Sequence, residues 1–131
     1  MRLSDRITVM SRAIMPPMAN QRGVLFGGKL MEWMDEVSGI AAKRFAHSEV
    51  TTVAVEQVRF LAPIPVGAFV EVRGEVIGTG NTSLRVRVSV FMDGEQAGGI
   101  DEEAEMLTAE AFFVYVALDE EGKPKKVEQK L

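Results

Sequence analysis

Apolar and polar positions recur along this chain in two different rhythms. Between residues 28 and 46 the rhythm is helical. Leu30, Met34, Val37, Ala41 and Phe45 return every three to four residues, and at about 100° per residue they fall on one side of a helix. Lys29, Glu32, Glu36 and Lys43 fall on another, giving a core face and a wet face. Elsewhere the period is two. Val70, Val72 and Val76 alternate with Glu71, Arg73 and Glu75, and Leu84, Val86, Val88 and Val90 alternate with Arg85 and Arg87. These predict a hairpin over 69–78 and 84–91 whose outward charges complement each other. Residues 3–14 and 106–118 also predict strands, the latter apolar on both sides. Residues 50–61 have both faces partly apolar, as in an inner strand that also lines an interface.

The punctuation agrees with this division. Pro16 and Pro17 force an extended path and forbid a helix before residue 20. Pro63 and Pro65 interrupt pairing after the second strand, and Asp93-Gly94 marks a turn. Residues 98–105 are acidic and read as an exposed loop or strand approach, and the tail turns at Gly122. The expected order is strand, loop, long helix, four strands: one α+β domain over 1–131, an antiparallel five-stranded sheet packed on one helix.

One helical position fits neither face. Asp35 shares a narrow stripe with Gly28, Met31, Ser38, Gly39 and Ala42. A carboxylate there would be partly desolvated and a better proton acceptor; the plainer reading is a boundary residue in water. The helix start presents free N–H groups, and Gly27 and Gly28 would let a ligand oxygen approach them directly. A carbonyl docked there would sit in an oxyanion hole; the plainer reading is a tight turn. Trp33, Met31 and Met34 are candidate pocket walls or simply core. Asn20 caps a loop or serves a site. Arg59 at a strand end is a surface charge or a phosphate contact. Gly80, Asn81, Thr82 and Ser83 gather backbone N–H groups and hydroxyls in a turn that could favour an anion. His47 reads as a solvated or capping residue. Lys123, Lys125, Lys126 and Lys130 read as a solvated tail or a basic lid over phosphates.

Composition narrows the classes. The chain has 131 residues, 47% of them apolar, enough for a core. A net charge of −4 argues against nucleic acid as partner. The lack of cysteine excludes thiolate nucleophiles, disulfides and Cys-based metal sites, and a single histidine gives little support to a His-cluster metal site or a His-paired triad; no metal and no bound cofactor are expected. There is no signal-like segment and no apolar run of spanning length, which predicts a soluble cytoplasmic protein without membrane contact.

The spacing of Asn20, Gly23, Phe26, Gly27, Gly28 and Asp35, N-x-x-G-x-x-F-G-G and then D seven residues on, resembles the hotdog-fold acyl-CoA thioesterases, closest to their cytosolic acyl-CoA hydrolase branch. MEWMDEV after FGG adds to it, and the likeness extends through RFLAPIPVG, GNTS and the last strand. The resemblance implies a hotdog fold wrapped round the central helix and a dimer of two sheets joined edge to edge. It further implies assembly into a trimer of dimers, and sites at the dimer interface. It implies acyl-CoA hydrolysis with Asp35 as general base or nucleophile, Gly27 or Gly28 N–H on the thioester carbonyl, and Asn20 facing the acid of a neighbouring subunit. Coenzyme A would then be part of the substrate, its nucleotide near Thr82 and Ser83. Many relatives carry a basic residue before that pair; this chain has Asn81. Three other readings stand beside it: a dehydratase or hydratase, which would want an acid paired with a histidine; a non-catalytic acyl-CoA-binding module; and a purely structural oligomer.

Overall fold

A computed structural model describes residues 6–93 and 105–131. It contains β1 (Ile7–Ala13), a 3-10 turn (Pro16–Met18), α1 (Gly27–Ala46), β2 (Glu49–Phe60), β3 (Phe69–Thr79), β4 (Ser83–Asp93) and β5 (Glu105–Leu118). The five strands form one sheet in the order β1-β3-β4-β5-β2, antiparallel throughout. The α+β expectation and the five-stranded sheet around one helix are therefore met.

The helix is held by its apolar stripe. Met34 and Val37 are fully buried, and Leu30, Ala41 and Phe45 nearly so. They face the inward residues of the hairpin, Val72, Val76, Val86, Val88 and Val90, and Phe113 on β5. Each such large side chain stabilises the fold by about 1.5–3 kcal/mol relative to exposure. Trp33 and Met34 belong to this core, while Met31 is half-buried at its margin. His47 ends the helix in the left-handed region (φ 53°), its N–H on the Lys43 carbonyl at 2.9 Å. It is a capping residue. Lys43 and Arg44 in the last turn suit the negative end of the helix dipole. The helix and β3 approach so closely at Gly74 that a Cβ there would lie 3.0 Å from Val37 Cγ1 and 3.3 Å from the Val37 carbonyl oxygen.

Several local expectations change. Pro16 and Pro17 do not exclude helical structure: they occupy the first positions of a single 3-10 turn, where a missing N–H is harmless and the fixed φ is already suitable. β2 is not an inner strand. It is the sheet edge and almost wholly exposed, and its alternation is broken by register shifts at Thr52/Ala54 and Glu56/Arg59, with Gln57 at φ 52°. Its apolar residues, Val53, Val55, Val58 and Phe60, stand in the open. Of the outward arginines, Arg87 pairs with Glu75 of β3 at 2.8 Å. Arg85 instead reaches over β5 to Glu56 of β2 at 3.0 Å. The tail is not free: Lys125 N–H bonds the Ala117 carbonyl and Val127 N–H the Asn81 carbonyl, both at 2.8 Å, and Val127 is buried. Gly122 turns the chain (φ 81°), as expected. The acidic stretch 98–104, Gly94 and residues 3–5 lie outside the described residues. Among those described, no helix is long and apolar enough to cross a membrane.

Gly74→Ala adds a methyl group against helix backbone that cannot step aside alone. The variant is expected to lose about 1–3 kcal/mol of stability, read as a lower urea midpoint at an unchanged slope.

Candidate active site

Asp35 stands on the face of α1 that overlooks the junction of β2 and β5. Register explains its neighbours. Thr52 of β2 is directly opposite Tyr115 of β5, and opposite residues in an antiparallel pair share a face, so two hydroxyls rise together toward the helix. Thr52 Oγ1 donates to Asp35 Oδ1 at 3.0 Å and the Tyr115 hydroxyl to the same oxygen at 2.9 Å. Ser38, one turn on, lies 2.5 Å from the Tyr115 hydroxyl and 3.1 Å from the Asp35 main-chain carbonyl. Ser38 and Tyr115 are buried. Asp35 is exposed in the protomer, so the desolvation expected of its stripe is not supplied by a single chain: β2, beside it, is an open edge.

Burial pushes the Tyr115 phenol up to about 12, against contacts with Ser38 and Thr52 that lower it, and the nearby Asp35 carboxylate adds to the rise. The phenol therefore stays protonated, and a donor, well above neutral pH.

The second cluster lies at the N-terminal end of α1. The first helical hydrogen bonds run from Lys29 and Leu30 N–H to the Phe26 carbonyl, at 3.1 Å each, so the Gly27 and Gly28 N–H groups precede the bonded ladder. Neither glycine has a positive φ. A Cβ on Gly28 would meet nothing within 4 Å, and one on Gly27 only the Phe60 ring at 3.7 Å. Glycine costs about 1 kcal/mol in a helix relative to alanine, yet neither the backbone angle nor a close neighbour in the chain requires it at these two positions. Gly27, Asn20, Leu30, Phe60, Leu61 and Ile64 line a mostly apolar cavity of about 350 Å³. Asn20 both caps its turn and lines this cavity. Its Oδ1 accepts from Arg22 N–H at 2.9 Å and Val24 N–H at 3.2 Å, which leaves the NH2 end to donate elsewhere.

The structure brings Asn20 and Gly27 together, and Asp35 with Thr52, Tyr115 and Ser38; it does not bring the two groups together. Asp35 lies seven residues along the helix from Gly28, about 10 Å of rise. Gly80 and Ser83 line another cavity of about 320 Å³ with Thr79 and Arg85, but the turn is less open than expected. Gly80 N–H is engaged by the Ser83 carbonyl, and the Asn81 and Thr82 carbonyls accept from Val127 and Ala117. Arg59 is exposed, opposite Glu110. Lys123, Lys125, Lys126 and Lys130 are exposed. Among the described residues no cluster of potential metal ligands occurs. Thr52 and Tyr115 were not singled out by the sequence. The one available signal was Tyr115 itself, the sole tyrosine, set in an otherwise apolar strand, where a buried hydroxyl must find a partner.

The thioesterase superfamily matches residues 22–98. The acyl-CoA thioester hydrolase YciA of Escherichia coli is 38% identical over 117 residues, covering 89% of this chain and 87% of that protein. A solved acyl-CoA hydrolase from Staphylococcus aureus, in complex with butyryl coenzyme A, coenzyme A and coenzyme A disulfide, superposes with a TM-score of 0.88 at 31% identity. It covers 97% of this chain and 74% of its own. Variants of that hydrolase replace an asparagine, an aspartate and a threonine by alanine, and the fifteen- and seventeen-residue spacings between them equal those between Asn20, Asp35 and Thr52. A hexameric thioesterase from Yersinia pestis matches with a TM-score of 0.82 at 34% identity, over 94% of this chain and 96% of that one.

A buried neutral phenol ties stability to alkaline pH. Its folded value lies above the ordinary 10.0, so the stability it contributes is complete below pH 10 and is lost as pH rises through about 12. The melting temperature of the wild type is expected to fall across that window more steeply than that of Tyr115→Phe.

Proposed function

The chain belongs to the thioesterase superfamily, and on that footing we propose that it is an acyl-CoA thioester hydrolase whose acid is Asp35. The observation that carries the reading is the pair of hydroxyls holding this carboxylate on an open edge. The asparagine, aspartate and threonine spacing shared with the Staphylococcus aureus hydrolase supports it.

The site is assembled from two halves. One carries the acid, with Thr52 and Tyr115. The other carries donors: the Gly27 and Gly28 N–H groups and the NH2 of Asn20. The halves come from different copies. β2 ends near Asn20's cavity at Phe60 and passes Asp35 at Thr52. An antiparallel β2–β2 pairing about a two-fold axis near the middle of the strand lays the Phe60 end of one copy beside the Thr52 end of the other. The donors of one protomer then face the acid of its partner, and the exposed Val53, Val55 and Val58 are covered. Three such dimers make the full assembly, a reading supported by the hexameric Yersinia pestis relative.

The thioester carbonyl binds with its oxygen at the helix N–H groups, where donors aimed at the developing charge are worth roughly 2.7–4 kcal/mol apiece. Asp35 takes a proton from water attacking the carbonyl carbon, or attacks that carbon itself to give an anhydride that water opens. The C–S bond breaks and coenzyme A leaves as a thiolate that takes up a proton from the water, passed on by Asp35 in the first route and released as the anhydride opens in the second. Asn20 orients the water or the carbonyl. Coenzyme A enters as part of the substrate, its nucleotide toward Thr82 and Ser83, with Arg59, Gly80 and Asn81 as neighbouring contacts. The chemistry uses no metal or resident cofactor, and the protein works in the cytoplasm.

Because the chain has no cysteine, a thiol-reactive dye reads only released coenzyme A. Asp35→Asn is expected to keep fold and assembly while losing roughly 10²–10⁴-fold in turnover of acyl-CoA. Wild-type turnover in that variant would sink the assignment. Binding of acyl-CoA without thiol release by either protein would instead identify a non-catalytic module. Val55→Asp places a charge in the β2 pairing. Sedimentation should find monomers, with activity lost alongside; a fully active monomer would contradict the shared site.

A further inference from the structure

The two carboxylate oxygens of Asp35 are held unequally. Both side-chain donors, Thr52 Oγ1 at 3.0 Å and the Tyr115 hydroxyl at 2.9 Å, meet Oδ1, and among the described residues no donor meets Oδ2. We infer that Tyr115 is a positioning residue that, together with Thr52, pins Oδ1 and so dedicates Oδ2 to the reaction. The inference rests on the reading of Asp35 as the acid of hydrolysis.

A phenol has one proton to give. Ser38 Oγ, 2.5 Å away, can donate to the Tyr115 oxygen, which frees the phenol proton for Asp35. An ionised acceptor is the stronger partner, so the chain runs from Ser38 to Tyr115 to Oδ1. Structural need alone does not call for this arrangement. The Asp35 main-chain carbonyl, at 3.1 Å, together with Ser38, would already satisfy a buried hydroxyl; the reach to the carboxylate is additional. The ring is well fixed. It is 2% exposed and stacks on Phe113 at 6.4 Å. A Cβ at Gly39 would lie 3.6 Å from the hydroxyl oxygen, an ordinary contact, so the helix backbone passes directly beside the ring tip. Thr52 supplies the second restraint from the opposite strand. Two donors on one oxygen oppose rotation of the carboxylate about its own axis, and a bare second oxygen keeps its full acceptor capacity for water or for the thioester carbon.

The test compares Tyr115→Phe and Thr52→Val, each alone and combined with Asp35→Asn, by thiol release from acyl-CoA, with assembly checked by sedimentation. Each single variant is expected to lower kcat roughly 10- to 100-fold with KM changed less than about twofold. In the Asp35→Asn background neither should lower the residual rate further. Equal losses in both backgrounds would mean that Tyr115 acts only through the fold, and would overturn the inference. A second readout does not depend on Tyr115→Phe folding. Tyr115 is the only tyrosine, so phenolate absorbance titrates it alone. Its ionisation should move to lower pH in Asp35→Asn, because the carboxylate opposes it; an unmoved titration also overturns the inference. If Asp35→Asn keeps the wild-type rate, the hydrolase assignment falls. If Asp35→Asn is inactive while Tyr115→Phe and Thr52→Val keep full kcat, the positioning role falls alone.

Discussion

The seating of α1 on β3 at Gly74 sets the geometry of everything above it. A Cβ at that point would crowd the Val37 side chain and main-chain carbonyl and require a shift of a few tenths of an ångström. Without one, Val37 rests against strand backbone, and the next residue, Ser38, is low enough for its hydroxyl to meet Tyr115. Asp35, one turn earlier, then stands at hydrogen-bonding distance from both β5 and β2. A helix a few tenths of an ångström higher would leave the apolar core nearly intact and stretch every contact to the carboxylate. The contacts to the carboxylate are thus less tolerant of helix height than the core that sets it.

The second constraint is the unfinished edge. Natural proteins blunt exposed edge strands with charges or bulges, or cover them. β2 has two irregularities and a left-handed Gln57, yet keeps a row of apolar side chains in the open. The same edge carries Thr52. The surface that a single chain leaves uncovered and the surface beside the Asp35 cluster therefore coincide.

Much of this was legible in sequence because it is periodic or punctuated. The helical stripe from Leu30 to Phe45 and the two-residue alternation of β3 and β4 are local patterns, and they gave the elements and the core directly. Asp35, Gly27, Gly28 and Asn20 were legible as a spaced motif. What escaped was set by register. Nothing local to Thr52 says that it faces Tyr115, since that depends on how β2 pairs with β5 after an irregularity one residue on. The inner reading of β2 failed for a related reason: apolar residues on both faces of a strand mean burial, but the burial can come from another molecule. The tail's lysines are exposed as read, but its anchoring escaped notice because it rests on one apolar residue, Val127, and two backbone hydrogen bonds, features that leave no mark on composition.

β5 is the strand that joins β2 to the rest of the sheet, and it comes last in the chain. During synthesis α1 emerges with its acid long before the strand that orients it. Until β5 arrives, β4 and β2 both lack the neighbour that lies between them, and the contacts across 17 and 80 residues that fix Asp35 cannot form together. Such distant pairings close slowly. The oriented carboxylate is therefore a product of the completed sheet, and a nascent or partly folded chain carries the acid without its alignment.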